Sequence, residues 1–304
     1  MSGKQKDSSG LAVLLILIST LAFSVYPILG KVVFAGGAGL STVLFFRFSV
    51  AALFFWAITI WLEGFPRLSL RTWLILWGMG GICYSMMAGL YISSVLFIPA
   101  SLAALLLYAY PIIVTVIAVL TEQEEFSSYK LAGLLLATFG LVLVLGLALQ
   151  GINYLGVILA LGAALVYAIY IVIGNKMLKT TTPLISTTII STSAAVTYGI
   201  IGLPIGGTTW NLSWGTWMGI CGIIISTIIG MLTFFEGIKR IGATSASIIS
   251  TSEPVMTVIL AVIIFNEYLT PLQAVGGIFV VVGGILAVLS PAPKLIKQVD
   301  SSVH

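Results

Sequence analysis

Long apolar runs, separated by brief polar or turn-forming intervals, follow one another along almost the whole chain. One membrane crossing takes about 20 apolar residues, because the hydrocarbon is about 30 Å thick and a helix rises 1.5 Å per residue. The pattern predicts ten such helices, at Leu11–Phe34, Thr42–Trp61, Trp73–Leu96, Ala100–Leu120, Ser128–Leu147, Tyr154–Met177, Leu184–Leu203, Trp214–Ile238, Ala243–Phe265 and Pro271–Leu289. The breaks fall at Gly36 to Gly39, Glu63 to Arg67, Pro204 to Thr209, Lys239-Arg240 and Thr270-Pro271. Most connections are too short to fold on their own. The first run follows Lys4 and Lys6, as a signal peptide would, but it is longer than the roughly 7–15 residues of a signal core. It also has a counterpart later in the chain, so it counts as the first helix.

Composition agrees with that pattern. Of 304 residues, 60% are hydrophobic and 7% are charged, against roughly 25% charged in a soluble domain. So few charges cannot cover a wetted surface, and lipid must be the solvent for most of the chain. The two cysteines, Cys83 and Cys221, lie in apolar runs and suggest neither a disulfide framework nor a metal site. The net charge of +4 is a topology signal. Lys4, Lys6, Arg67, Arg71, Lys130, Lys176, Lys179, Lys239, Arg240, Lys294 and Lys297 fall on one side of the ten-helix arrangement, and only Lys31 on the other. The positive-inside rule then places both termini in the cytoplasm of a cell (plasma or inner) membrane.

The chain repeats itself. A shift of 143 residues lays Ala100 on Ala243, Ala103 on Ala246, Pro111 on Pro254, Glu124 on Glu267, Gly133 on Gly276 and Gly140 on Gly283. A shift of 144 lays Phe23, Tyr26 and Gly30 on Tyr167, Tyr170 and Gly174. The Pro-to-Glu spacing, present twice, is the strongest of these matches. The unit holds five helices; five is odd, so the second copy enters the membrane from the opposite side, an arrangement common among secondary transporters. The expected organisation is a tail over 1–10, a first unit over 11–148, a second over 154–290 and a tail over 291–304, both tails cytoplasmic. The seven-residue spacing of Gly133/Gly140 and Gly276/Gly283 puts each pair on one helix face, where backbones approach closely in lipid. Pro111 and Pro254 are expected to kink their helices from mid-length.

These residues resemble the EamA family of the drug/metabolite transporter superfamily. The matching features are Arg47-Phe48 in the second helix, the Ala-rich starts and prolines of the fourth and ninth, the Pro-to-Glu spacing ending at Glu124 and Glu267, and the Gly-rich helices that follow. The resemblance covers about residues 10–290. It implies an all-α membrane protein with ten transmembrane helices in two inverted five-helix repeats around a central cavity, lined by helices one to four and six to nine. It also implies export or exchange of small metabolites, typically amino acids or related compounds. One departure is visible: Tyr110 precedes the proline in the first unit where Glu253 does in the second.

Two ionisable residues lie inside the predicted spans. Glu253 is about 15 Å into the ninth helix, near the bilayer midplane, and Arg47 about 9 Å into the second. A charge there costs a few kcal/mol, so each should face a cavity or a partner, or be neutral. Either they pair in the empty state, or one takes the ionic group of a zwitterionic substrate; a structural ion pair is the other reading. Glu236, with Lys239 and Arg240 at i+3 and i+4, reads as an interfacial pair. Ser247, Ser250 and Thr251 share a face of the ninth helix and could bond a substrate or their own i−4 carbonyls. Tyr26, Tyr84, Tyr108, Tyr167 and Tyr170 fall at helical spacing, with Met87 and Tyr91 beside Tyr84. Such rings suit an amphipathic organic ligand, or ordinary packing. Trp56, Trp61, Trp73 and Trp77 read as interfacial belt residues.

The resulting expectation is a secondary transporter working by alternating access on a small molecule, with the lipid bilayer as its other partner. No cofactor, metal or nucleic acid is called for, and the chain is expected as a monomer or weak homo-oligomer. A facilitative uniporter or channel-like permease is the alternative. Were Glu253 a proton carrier, transport would collapse with the proton gradient; pH-independent flux would signal uniport or exchange. A membrane-embedded enzyme lacks its parts: the one histidine is His304, and no HExxH or GxSxG motif occurs.

Overall fold

The computed structural model describes residues 2–98, 100–121, 123–124, 127–146, 153–206, 209–265, 268 and 270–289. The tail expected over 291–304 and the carboxylates Glu122, Glu125 and Glu267 lie outside them. The described chain is all-helical. We label its helices α1 (Ser2–Ala35), α2 (Leu40–Leu62), α3 (Leu70–Val95), α4 (Ala100–Leu107), α5 (Tyr110–Leu120), α6 (Ser128–Leu145) and α7 (Tyr154–Met177). They continue as α8 (Pro183–Ile205), α9 (Trp214–Ser250), α10 (Glu253–Phe265) and α11 (Pro271–Leu289). Among the described residues, nine helices or helix pairs are long and apolar enough to cross a membrane, and α10 adds a shorter apolar segment.

The helix α9 has 37 residues and would measure about 55 Å if straight, nearly twice the hydrocarbon thickness. It is divided at Gly242, where φ is 81° and ψ 169°. The part after Gly242 joins α10 as the ninth span, which brings the crossings to ten. The expected break at Lys239-Arg240 is therefore displaced to Gly242. Charges at an interface do not stop a helix, whereas a positive φ does, and glycine adopts one at little cost. Two other boundaries also move. The first helix starts at Ser2 rather than Leu11. The seventh runs past Pro204, because the π-helical segment Tyr198–Gly202 just before it absorbs the missing proline N–H.

Pro111 and Pro254 do not kink continuous helices, as the sequence suggested. The fourth span is broken at Tyr108-Ala109 and the ninth at Thr251-Ser252, so each proline stands in the first turn of a new helix. A proline is comfortable there, since its N–H would have no helical partner. Both breaks are tight turns: Ala109 N–H donates to the Leu106 carbonyl at 3.1 Å and Ser252 N–H to that of Ile249 at 3.0 Å.

Packing follows the glycines. α6 and α11 run antiparallel in backbone contact. A Cβ added at Gly133 would stand 2.5 Å from the Gly283 carbonyl oxygen, and one at Gly140 would stand 2.5 Å from that of Gly276. The start of the ninth span is held from the first half of the chain. The Glu124 carboxylate accepts a hydrogen bond from Thr244 N–H at 3.0 Å, pairs with Lys130, and lies against Gly242, whose bare Cα leaves it room. Both charged residues are 8% exposed. A carboxylate at a helix N-terminus meets the positive end of the helix dipole, which favours this arrangement.

Two substitutions check this packing. Gly140→Val should force α6 and α11 apart and lower the thermal midpoint in detergent by an amount equivalent to about 1–3 kcal/mol; an unchanged midpoint would contradict the contact. Glu124→Ala should cost about 3–5 kcal/mol, because it strands a buried Lys130, and adding Lys130→Met should recover much of that loss in the same assay.

Candidate functional site

Arg47 comes from the buried face of α2 and is 5% exposed. No carboxylate pairs with it: among the described residues the ion pairs are Lys130–Glu124 and Arg240–Glu236. The guanidinium instead lies over rings, 4.7 Å from the Tyr26 centroid, 5.0 Å from Phe48 and 5.9 Å from Tyr84. Glu253 opens α10 with its side chain part-covered, and Tyr108 neighbours its carboxyl. The direct Arg47–Glu253 pair, one of the sequence expectations, is thus not formed.

Tyrosines bridge the interval between them. Tyr84 meets Tyr170 at 6.0 Å between ring centroids, Tyr170 stacks on Tyr167 at 5.9 Å, Tyr167 meets Tyr110 at 4.7 Å, and Tyr110 meets Tyr108 at 5.9 Å. A continuous aromatic tract therefore runs from the Arg47 cage to Glu253. Tyr26, Tyr84, Tyr108 and Tyr167 keep part of their surface uncovered, whereas Tyr110 and Tyr170 are buried.

Local backbone irregularities aim these groups. Tyr84 ends the π-helical segment Met79–Tyr84 of α3. Two carbonyls of this segment accept from hydroxyls: Thr197 of α8 donates to Gly81 O at 3.2 Å and Ser85 to Gly80 O at 3.3 Å. Tyr110 and Glu253 each open the second half of a broken span.

The chain matches the profile of the EamA-like transporter family twice, over residues 10–146 and 154–289. It belongs to that family. Over 285 residues it is 28% identical to a Bacillus subtilis (strain 168) protein named Uncharacterized transporter YcbK, covering 89% of this chain and 91% of that one. It is 26% identical over 257 residues to Uncharacterized transporter YyaM of the same organism, covering 79% and 82% respectively. A solved crystal structure superposes with a TM-score of 0.78 over 91% of this chain and 96% of the other, at 18% identity, so that fold is shared. The protein is accordingly a multi-pass membrane transporter of the EamA-like family.

Within this EamA-like chain the serines sit differently from the tyrosines. Ser247 is fully buried and donates to the Thr244 carbonyl at 2.8 Å; Ser250, 5% exposed, donates to the Ala246 carbonyl at 2.9 Å. Thr251 likewise donates to Ile248 O at 2.6 Å. Of the two fates open to these hydroxyls, the structure shows the bonds to their own helix. Tyr91 packs with Leu102, Ala103 and Ala160. The Trp56 indole N–H donates to Thr192 at 2.9 Å and its ring stacks on Phe65 and Trp73. Arg240 bonds Glu236 within one turn, as read from the spacing.

Sequence reasoning left Phe48, Tyr110 and Tyr198 out of the set. Tyr110 had a signal, its register with Glu253 in the repeat. Tyr198, whose ring lies parallel to Phe48 at 5.9 Å, had none. Among the described residues no three His, Cys, Asp or Glu side chains gather where they could hold a metal ion.

Gly80 tests how the site is aimed. A Cβ at this position would overlap the Ile190 carbonyl of α8, so Gly80→Ala should push α3 from α8 and carry Tyr84 off Arg47. We expect substrate flux to fall at least tenfold with the protein still in the membrane fraction; flux at the wild-type rate would show that this placement of Tyr84 is dispensable.

Proposed function

We propose that this transporter is a secondary carrier of small amphipathic metabolites such as amino acids, an exporter or exchanger that works by alternating access in a cell membrane with both termini cytoplasmic. Its two units, 11–148 and 154–290, are read as inverted copies enclosing a central cavity. The observation that carries the reading is the aromatic tract that joins one cation and one carboxyl, both enclosed by helices and neither neutralised by an ion pair. A buried charge is costly and is kept where it meets a ligand or moves with a cycle. Rings between two polar ends suit an organic body with ionic groups.

The packing supports alternation. α5 lies against α7 and α9, whereas α10 packs on α1 and makes no comparable contact with α3 or α4. If the halves are inverted copies, equivalent contacts are closed on one side and open on the other. The closed side is that of Glu124 and Gly242, which the charge distribution assigns to the cytoplasm. This describes a carrier resting outward-open, with Arg47, Glu253, Tyr26, Tyr84, Tyr108, Tyr167 and Tyr170 facing the substrate and Ser247 and Ser250 supporting the break.

Flux of radiolabelled amino acids into proteoliposomes tests the proposal. Glu253→Gln and Arg47→Ala should each lower the rate at least tenfold at equal incorporation. Wild-type rates in both proteins would remove the site. Repeating the assay with a protonophore separates proton coupling from exchange driven by metabolite gradients.

A further inference from the structure

Three buried side-chain polar atoms lack a hydrogen-bond partner among the described residues: Arg47 Nε, the Tyr198 hydroxyl and Thr244 Oγ1. Thr244 belongs to the Glu124 contact, remote from the aromatic tract. The other two share one neighbour, the Phe48 ring: the Arg47 guanidinium lies 5.0 Å from its centroid and the Tyr198 ring stacks on it at 5.9 Å. Ser85, on the neighbouring turn, gives its proton to the Gly80 carbonyl.

The guanidinium is planar and always charged, with its donors in the plane. Here Tyr26, Phe48 and Tyr84 offer their rings to it. Ring quadrupoles offset part of the desolvation of a cation, but they do not satisfy its in-plane N–H groups. An enclosed cation with an idle Nε–H, sharing the Phe48 ring with an idle hydroxyl, is incomplete, because a buried unpaired donor is costly.

We infer that Arg47 and Tyr198 form the docking point for the carboxylate of a monocarboxylic substrate. The inference rests on the carrier reading above and assigns the head group of its cargo. A carboxylate is planar, matches the guanidinium edge and has lone pairs enough for Nε–H and the Tyr198 hydroxyl together. One fixed cation balances one negative charge. A phosphate dianion would leave a second charge uncompensated among hydroxyls and rings, which an enclosed site does not tolerate. The apolar remainder of the substrate then lies along Tyr84, whose ring keeps part of its surface uncovered.

Thermal unfolding of the purified full chain in detergent tests this with named probes: L-phenylalanine and L-leucine, their carboxamides, and phenyl phosphate. The expected result is that at least one free acid stabilises the protein, with its carboxamide and phenyl phosphate each about tenfold weaker, the loss of one charged hydrogen bond. Arg47→Gln should abolish the preference for acid over amide; Arg47→Lys, which keeps the charge without the fork, should reduce it; Tyr198→Phe should weaken the acid alone. Equal stabilisation by acid and amide, no stabilisation by either acid, a stronger effect of phenyl phosphate, or a preference that survives Arg47→Gln would each overturn the assignment and leave the pair as a hydration site. Should Arg47→Gln fail to fold, Arg47→Lys and Tyr198→Phe decide. Binding is read here without a gradient, so an acid preference without flux would sink the carrier reading alone, and flux without an acid preference would sink only this one.

Discussion

In hydrocarbon there is no water to receive a backbone N–H or C=O, and every departure from helix must find its partners inside the protein. That constraint governs where this chain can be irregular. In the π turn of α3, Thr197 and Ser85 donate to the Gly81 and Gly80 carbonyls. The start of the ninth span at Gly242 stands because a carboxylate from the other half of the chain takes the Thr244 N–H. The two broken spans stay tight, with i→i+3 bonds across Ala109 and Ser252. Irregular backbone is therefore concentrated where helices from both halves meet, and the polar side chains of the candidate site are carried on it.

The two breaks have equal backbone and unequal chemistry. Residues 108 to 111 read Tyr-Ala-Tyr-Pro and residues 251 to 254 read Thr-Ser-Glu-Pro. Tyr110 fills its break with a buried ring, while Glu253 brings a carboxyl to the corresponding place in the other. Rings supplied by α3, α5 and α7 then face a carboxyl supplied by α10, and α2 adds the cation. The geometry of the repeat and the asymmetry of its side chains together yield a tract with different ends.

Much of the architecture was legible in the sequence because the bilayer imposes it. Run length and the scarcity of charge require membrane helices wherever about 20 apolar residues stand together, and the glycine spacing announced the close contact of α6 with α11. Helix interruptions were less legible. Proline at 111 and 254 marks the neighbourhood of a break, but whether a helix bends at proline or restarts before it depends on what surrounds it. Arg47, Glu253 and the tyrosines were picked out as unusual in lipid, and the structure lines most of them up. It also leaves Arg47 and Glu253 unpaired, which no one-dimensional spacing could decide. The hydroxyls of Ser247 and Ser250 turn back to their own helix, since a serine in hydrocarbon satisfies itself locally when it can.

The glycine contact between α6 and α11 has a mechanical consequence. Where Gly133 meets Gly283 and Gly140 meets Gly276, each backbone rests on a carbonyl of the other with no side chain between them. Such a seam has little to compress or repack. Under the alternating access proposed above, with the remaining helices rocking, the seam would serve as a fulcrum at one edge, and the angular strain would fall on Gly242 and on the joints at 108–109 and 251–252, where the rods are already jointed.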